Sequence, residues 1–259
     1  MRLKGKGLNQ IKLITHADLD GTASAVLARA VFGECADINL EVTSTAEYAV
    51  ETFLFKPKFQ YTTLFISDLS LPLKLIKQVS EICSKENILF RLFDHHHSSI
   101  ELNKLSTCLV REDDNSCGAS LFYEYLLQSV TNSEIQLKLK EMRRFIEEVT
   151  AYDTGRATEK ALELNRLLWI LGKVRFIDRF SSDPSIRFSQ AEKALLILDK
   201  ERIDRYVFSH KLKNFSGTLT LPDGSFFKVA IGFAGDCFQE MFDELSKSGV
   251  RPLTLAMGI

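Results

Sequence analysis

The sequence lacks several things, and each shortage removes a class of protein. It has no excess charge: 33 basic and 34 acidic residues leave a formal net charge of −1, which is not the footprint of a general duplex-DNA binder. Its five cysteines, Cys35, Cys83, Cys108, Cys117 and Cys237, are odd in number and never form a C-x-x-C pair. That argues against a disulfide framework or a zinc ribbon and reads as reduced thiols in the cytoplasm. No apolar run approaches the roughly 18 residues of a membrane span. The basic start, Met1 to Gly7, leads into no apolar core with a small-residue cleavage site, so secretion is not expected either.

Histidine is scarce too, and its distribution is informative. Of five histidines, three form the tripeptide His95-His96-His97, straight after Asp94, and a fourth, His16, stands beside Asp18 and Asp20. A chain of 259 residues that is 45% hydrophobic can bury one sizeable core and a smaller one, so two domains are expected. The apolar runs 11–14, 61–66 and 88–93 read as strands, and 22–32 and 73–83 read as helices with apolar residues at helical spacing. Strands alternating with helices imply an α/β fold with a mainly parallel sheet flanked by helices. In such sheets ligands bind beyond the carboxyl ends of the strands. His16/Asp18/Asp20, Asp68 and Asp94/His95/His96 all fall at such ends and are expected to converge.

Further along, a helix is expected over 121–130, a long one over 134–150, and another over 158–170. Ser116 to Ser120 opens the first of these with hydroxyls and small residues. Its backbone N–H groups are either a phosphate cradle, with Ser116 and Ser120 at the substrate, or a simple capping turn. The polar, Pro- and Gly-bearing stretch 172–187 holds the domain boundary. A connector helix (188–209), a hairpin of 217–221 and 226–231 around Pro222-Asp223-Gly224, a helix (236–246) and a last strand (252–257) make a smaller α/β domain.

His16, Asp18 and Asp20 occupy alternate positions, which in an extended segment places all three on one side. With Asp68, His95 and Asp153 there are ligands enough for two divalent ions. Carboxylate and imidazole donors suit manganese first, with iron, cobalt or zinc possible. Two such ions activate a water and stabilise charge in phosphoryl displacement, so a phosphate ester is the natural substrate.

His16-Ala17-Asp18-Leu19-Asp20-Gly21, then Asp68, then Asp94-His95-His96, then Tyr152-Asp153-Thr154-Gly155 resemble, in type and order, the four-motif signature of the DHH phosphoesterase superfamily. The nanoRNase or oligoribonuclease-like branch fits best, over roughly residues 11 to 185. The resemblance implies a DHH domain over 1–185, and a connector helix with an incomplete DHHA1-like substrate-binding domain over 186–259. The G-G-G-H and Arg-Ser segments those relatives carry further on have no counterpart up to Ile259. It implies two Mn2+ ions, one held by His16, Asp18 and Asp68, the other by Asp20, Asp68, His95 and Asp153, with Asp68 bridging. Asp94 would orient the histidines and His96 would meet the phosphate. His97 extends the motif, as a substrate contact or equally as a surface residue.

The activity implied is hydrolysis of short oligonucleotides or small nucleotides by a two-metal-activated hydroxide. Alternatives are a cyclic or linear dinucleotide, a 3′-phosphonucleotide, or a metal-binding regulatory protein without turnover. No duplex-DNA or membrane partner is expected, and a homodimer is left open.

Overall fold

The computed structural model describes residues 10–55, 61–211, 215–220, 223–224, 226–233 and 251–255. The chain forms two compact units, Met1–Phe188 and Ser189–Ile259.

Among its described residues the first unit contains five strands, β1 (Gln10–His16), β2 (Ala36–Glu41), β3 (Tyr61–Ser67), β4 (Leu89–Asp94) and β5 (Cys108–Val110), in the order β2-β1-β3-β4-β5. Every pairing is parallel. The order reverses between β1 and β3, and the crevice outside their carboxyl ends is where open sheets of this kind take ligands. Among the described residues, eight α-helices flank or cap this sheet: α1 (Leu19–Phe32), α2 (Thr43–Phe55), α3 (Leu73–Lys85), α4 (Gly118–Ser129), α5 (Ser133–Glu141), α6 (Arg143–Asp153), α7 (Glu159–Leu171) and α8 (Lys173–Ser182).

Successive residues of a strand face opposite sides, and β3 and β4 show it. Leu64, Ile66, Phe90 and Leu92 join an aliphatic core with Ala46, Ala49, Val50, Leu75, Ile76 and Val79 of α2 and α3. Phe65 and Phe93 meet Phe122 of α4 at ring-centroid distances of 5.0 and 5.2 Å. Each such buried side chain contributes about 1.5–3 kcal/mol. This packing fixes the two strand ends that carry Asp68 and Asp94. The middle of α1 is buried throughout, and its alanines Ala23, Ala25 and Ala28 let neighbouring elements approach closely.

Several elements differ from the sequence reading. Helix α1 starts at Leu19 rather than Thr22, because Asp18 caps it by accepting the Gly21 N–H at 3.0 Å. Strand β2 and helix α2 lie between Gly33 and Tyr61, where the sequence reading assigned no element. The polar residues of β2 find distant partners: Lys12 Nζ donates to Asp37 at 2.9 Å and to Asn39 at 2.8 Å. The helix expected over 134–150 is two helices broken at Met142, whose N–H is shared between the Lys138 and Leu139 carbonyls at 3.2 and 3.1 Å. Much of the stretch expected to hold the domain boundary is α8, which buries Phe176, Ile177 and Phe180.

The second unit begins with α9 (Gln190–Lys211). Ser189 and Glu192 form the reciprocal cap of an S-x-x-E start, Ser189 N–H to Glu192 Oε2 at 2.6 Å and Glu192 N–H to Ser189 Oγ at 3.2 Å, which satisfies two first-turn donors. Strands β6 (Phe215–Thr220) and β7 (Phe226–Phe233) pair antiparallel, and β8 (Arg251–Leu255) joins β7 in parallel. The helix expected over 236–246 lies outside the described residues.

Candidate active site

Four chain segments deliver the polar residues. β1 ends in His16, and the sharp entry into α1 follows. Gly21 is required there by close approach, since a Cβ would lie 2.1 Å from the His16 carbonyl oxygen. The Thr15 hydroxyl donates to the Gly21 carbonyl at 3.1 Å and holds the same turn from the other side. β3 ends at Ser67, and Asp68 follows with φ at 57°, a left-handed conformation that few residues other than glycine adopt. The Asp68 N–H donates to the Phe93 carbonyl at 2.9 Å, tying the ends of β3 and β4 together. β4 ends at Asp94, and α6 ends at Asp153.

Three groups of ligand atoms result, each within 4.8 Å: Asp68, Asp94, His95 and His96; His16, Asp18 and Asp68; Asp20, His95 and Asp153. His95 Nε2 stands 3.2 Å from Asp153 Oδ2, 3.6 Å from Asp68 Oδ1 and 3.9 Å from Asp20 Oδ2. His16 Nδ1 is 2.8 Å from Asp18 Oδ2 and 3.9 Å from Asp68 Oδ2. Asp68 is thus the carboxylate with one oxygen toward each histidine.

Asp94, fully buried, accepts the His95 N–H at 2.9 Å and faces His96 Nδ1 at 2.7 Å through the same oxygen, Oδ1. That pair of contacts fixes the turn after β4 and the orientation of the His96 ring.

The extended-segment argument for His16, Asp18 and Asp20 does not describe the chain. Asp18 is the cap of α1 and sits with His16, whereas Asp20 is inside the first helical turn and faces His95 and Asp153. His97 parts from its neighbours: its side chain is 83% exposed and pairs with Glu112 at 2.9 Å. The α4 entry carries its own capping contacts. The Ser120 hydroxyl donates to the Cys117 carbonyl and accepts the Cys117 N–H, both at 2.9 Å. Ser116 is buried under Arg111, whose Nη1 reaches its hydroxyl at 3.4 Å.

The electrostatics favour a bound cation. Burial pushes the Asp20 carboxyl up to about 7, with Asp153 adding to the effect. Burial raises Asp68 as well, reinforced by Asp20 and Asp18, and raises Asp153 against the opposing influence of His95. At Asp18 burial is outweighed by hydrogen bonds from His16 and Gly21, which hold it below the usual range. Hydrogen bonds to Asp18 and Asp94 raise His16 and His96 respectively. Asp68 Oδ2, Asp94 Oδ2 and Asp153 Oδ2 are buried with no hydrogen-bond partner. An uncompensated buried carboxylate is costly, and oxygen and imidazole donors together fit a divalent cation of the manganese to zinc series.

One contact at the site was not read from sequence. Thr43 Oγ1 at the start of α2 approaches His16 Nε2 at 3.5 Å. Its signal, a hydroxyl run Thr43-Ser44-Thr45 after the edge strand β2, carries no information until β2 is placed beside β1.

No protein-family model matches the chain. Oligoribonuclease NrnB of Bacillus subtilis (strain 168) is 28% identical over 209 residues, covering 75% of this chain and 51% of its own length; the chain therefore spans about half the length of this curated relative. Among solved structures, the DHH domain of a member of the s1p family of ribosomal proteins superposes with a TM-score of 0.61 at 13% identity, over 97% of this chain and 72% of that one. An uncharacterised protein from Helicobacter pylori G27 superposes with a TM-score of 0.54 at 14% identity, over 95% and 83% of the two chains. At these identities the structural likenesses establish the fold.

Proposed function

We propose that the chain is a metal-dependent hydrolase of short oligoribonucleotides of the DHH phosphoesterase type, a reading supported by its fold, its four motifs and its likeness to an oligoribonuclease. The observation that carries the proposal is Asp68, a buried carboxylate with one oxygen toward each of two ligand groups and the other members of both groups already in place. The similarity to an oligoribonuclease supports the substrate class.

In this reading His16, Asp18 and Asp68 hold one divalent ion, manganese, and Asp20, Asp68, His95 and Asp153 hold a second. Such a pair, when bound, lowers the pKa of a water and neutralises charge on the phosphate. The protein's own part is positional. Asp94 holds the His96 ring by its Nδ1, leaving Nε2 to donate to a phosphate oxygen and stabilise charge as it develops. The turn after Asp68 keeps its carboxylate between the two histidines. His96 is half-exposed, as a group that meets substrate must be.

The substrate is short and single-stranded, in keeping with a chain of near-zero net charge. Four of the thiols, Cys35, Cys83, Cys108 and Cys117, are free, which supports a place in the cytoplasm.

The experiment is release of mononucleotide from a labelled diribonucleotide, with and without Mn2+, in the wild type and in Asp68→Ala. Turnover that needs Mn2+ and disappears in the variant supports the proposal. Metal-dependent turnover that survives the loss of Asp68 rejects the two-ion site.

A further inference from the structure

The side chain of Asp20 is 1% exposed or less, in the middle of the first unit, and it is met by a helix start from 98 residues further along the chain. The Gly118 N–H donates to Asp20 Oδ2 at 2.7 Å, and the Ala119 N–H donates to Asp20 Oδ1 at 2.8 Å. Gly118 and Ala119 open α4, with Cys117 as its cap. The first N–H groups of any helix have no partner within the helix, and they carry the positive end of its dipole. Here two of them face the two oxygens of one carboxylate.

Both oxygens accept, so the arrangement specifies a carboxylate. An asparagine would have to turn its NH2 toward one backbone N–H, leaving a buried donor against a donor. Gly118 is needed for a second reason: a Cβ would stand 2.7 Å from Asp68 Cβ, 2.8 Å from Asp68 N and 3.0 Å from Asp20 Oδ2. The helix start is thus seated against Asp20 and Asp68 at once, two of the three carboxylates that approach His95.

We propose that the first turn of α4 is a clamp that positions Asp20 as a metal ligand, with Gly118 and Ala119 as positioning residues acting through their main-chain N–H groups. The clamp engages one lone pair of each oxygen, the Cys117 thiol also contacts the carboxylate, and the side toward His95 and Asp153 is left for the cation. This rests on the phosphoesterase reading only for its consequence in catalysis; the clamp itself is a claim about metal binding. It also accounts for Gly118-Ala119 following the cap: neither contributes a side chain longer than a methyl, and a bulkier residue at 118 would push Asp20 and Asp68 apart.

The test uses two readouts on the full chain. In the wild type, amide hydrogen exchange at Gly118 and Ala119 is expected to be slowed at least ~100-fold relative to an unstructured chain, although neither has an intrahelical acceptor, and to lose that protection in Asp20→Ala. Ala119→Pro removes one of the two N–H groups at a first-turn position that tolerates proline. Mn2+ binding followed by electron paramagnetic resonance is then expected to weaken about 10- to 100-fold at one of two positions, the range for outer partners of metal ligands. Ala119→Gly, which keeps the N–H, is expected to bind both ions. Unprotected amides in the wild type, or a folded Ala119→Pro chain that binds two Mn2+ as tightly as the wild type, overturn the clamp. Should Ala119→Pro not fold, the exchange measurement decides alone. A wild type that binds Mn2+ through a protected clamp yet hydrolyses no diribonucleotide would refute the phosphoesterase reading and leave the clamp standing.

Discussion

Removing divalent cations should make the first unit less stable as pH rises, the reverse of ordinary acid denaturation. Asp20 carries most of the argument. Its folded-state carboxyl is pushed up to about 7 from 3.8 by burial and then by Asp153. Between those values the folded chain holds a proton that the unfolded chain has released, so the unfolded state binds fewer protons and stability falls with rising pH. The stabilisation is fully present below about pH 4 and is lost as pH passes 7. At about 1.4 kcal/mol per pH unit, the interval from 3.8 to about 7 corresponds to on the order of 4 kcal/mol. Asp68 and Asp153 are raised in the same sense. His16 and His96 are raised too, so their contribution is present below the unfolded value of about 6.5 and lost as pH climbs through the folded one. Asp18 runs the other way, but its window lies below the ordinary carboxylate range.

Roughly 3 kcal/mol of this falls between pH 5 and pH 7, large against a typical total of about 5–15 kcal/mol, so metal-free protein should melt roughly 5–10 °C lower at pH 8 than at pH 5. Thermal melts by far-ultraviolet circular dichroism after chelation would show it. Adding Mn2+ at pH 8 should restore the loss, because a cation replaces the proton as counter-charge. A metal-free melting temperature that is flat or rising from pH 5 to 8 would refute the assignment of a mutually repelling carboxylate cluster.

Gly21→Ala should destabilise by roughly 3 kcal/mol or more, the upper end of overpacking effects, because its Cβ would lie 2.1 Å from the His16 carbonyl oxygen; a urea midpoint within 0.5 kcal/mol of wild type would contradict that geometry. Asp68→Gly should separate stability from function: it relieves a left-handed backbone at φ 57°, worth about 1–2 kcal/mol, and removes a buried charge. The metal-free variant should therefore melt higher than wild type while Mn2+ binding is lost, and a lower melting temperature would argue against stored strain. His96→Ala should lower kcat/KM on a diribonucleotide by roughly 100-fold, whereas His97→Ala, which loses only an exposed contact with Glu112, should stay within about twofold; equal losses would restore His97 to the substrate.

The strand ends were legible because each is a short apolar run that stops at a charged residue, and that pattern needs no knowledge of neighbours. Strand β2 was not. Its Asp37 and Asn39 look unsuited to a sheet until Lys12 arrives from β1, 25 and 27 positions away, and the Tyr61 hydroxyl donates to Asp37 from β3. The same limit applies to Asp20, whose partners Gly118 and Ala119 are 98 and 99 residues off. The entry to α1 was misjudged for a local reason: Asp18 before Leu19 is a cap signal, but the alternation of His16, Asp18 and Asp20 suggested an extended segment. Alternation places side chains on one face only if the strand continues, and here it stops at His16.

The three carboxylates around His95 each occupy a position that local rules disfavour. Asp20 is a buried acid in an alanine-rich helix. Asp68 has a left-handed backbone. Asp153 is the last residue of α6, where the helix dipole opposes a negative charge by a few tenths to about 1 kcal/mol. Any one of these is tolerable as an accident of packing. Three within reach of one imidazole are not, because each makes the others worse: every one of the three carboxyls is raised, and charge on neighbouring carboxylates contributes at each. Sequences that fold well agree with themselves at every level except where function intervenes. A bound divalent cation would relieve the charge conflict they share, by giving Asp20, Asp68 and Asp153 a counter-charge beyond what the neighbouring histidines supply.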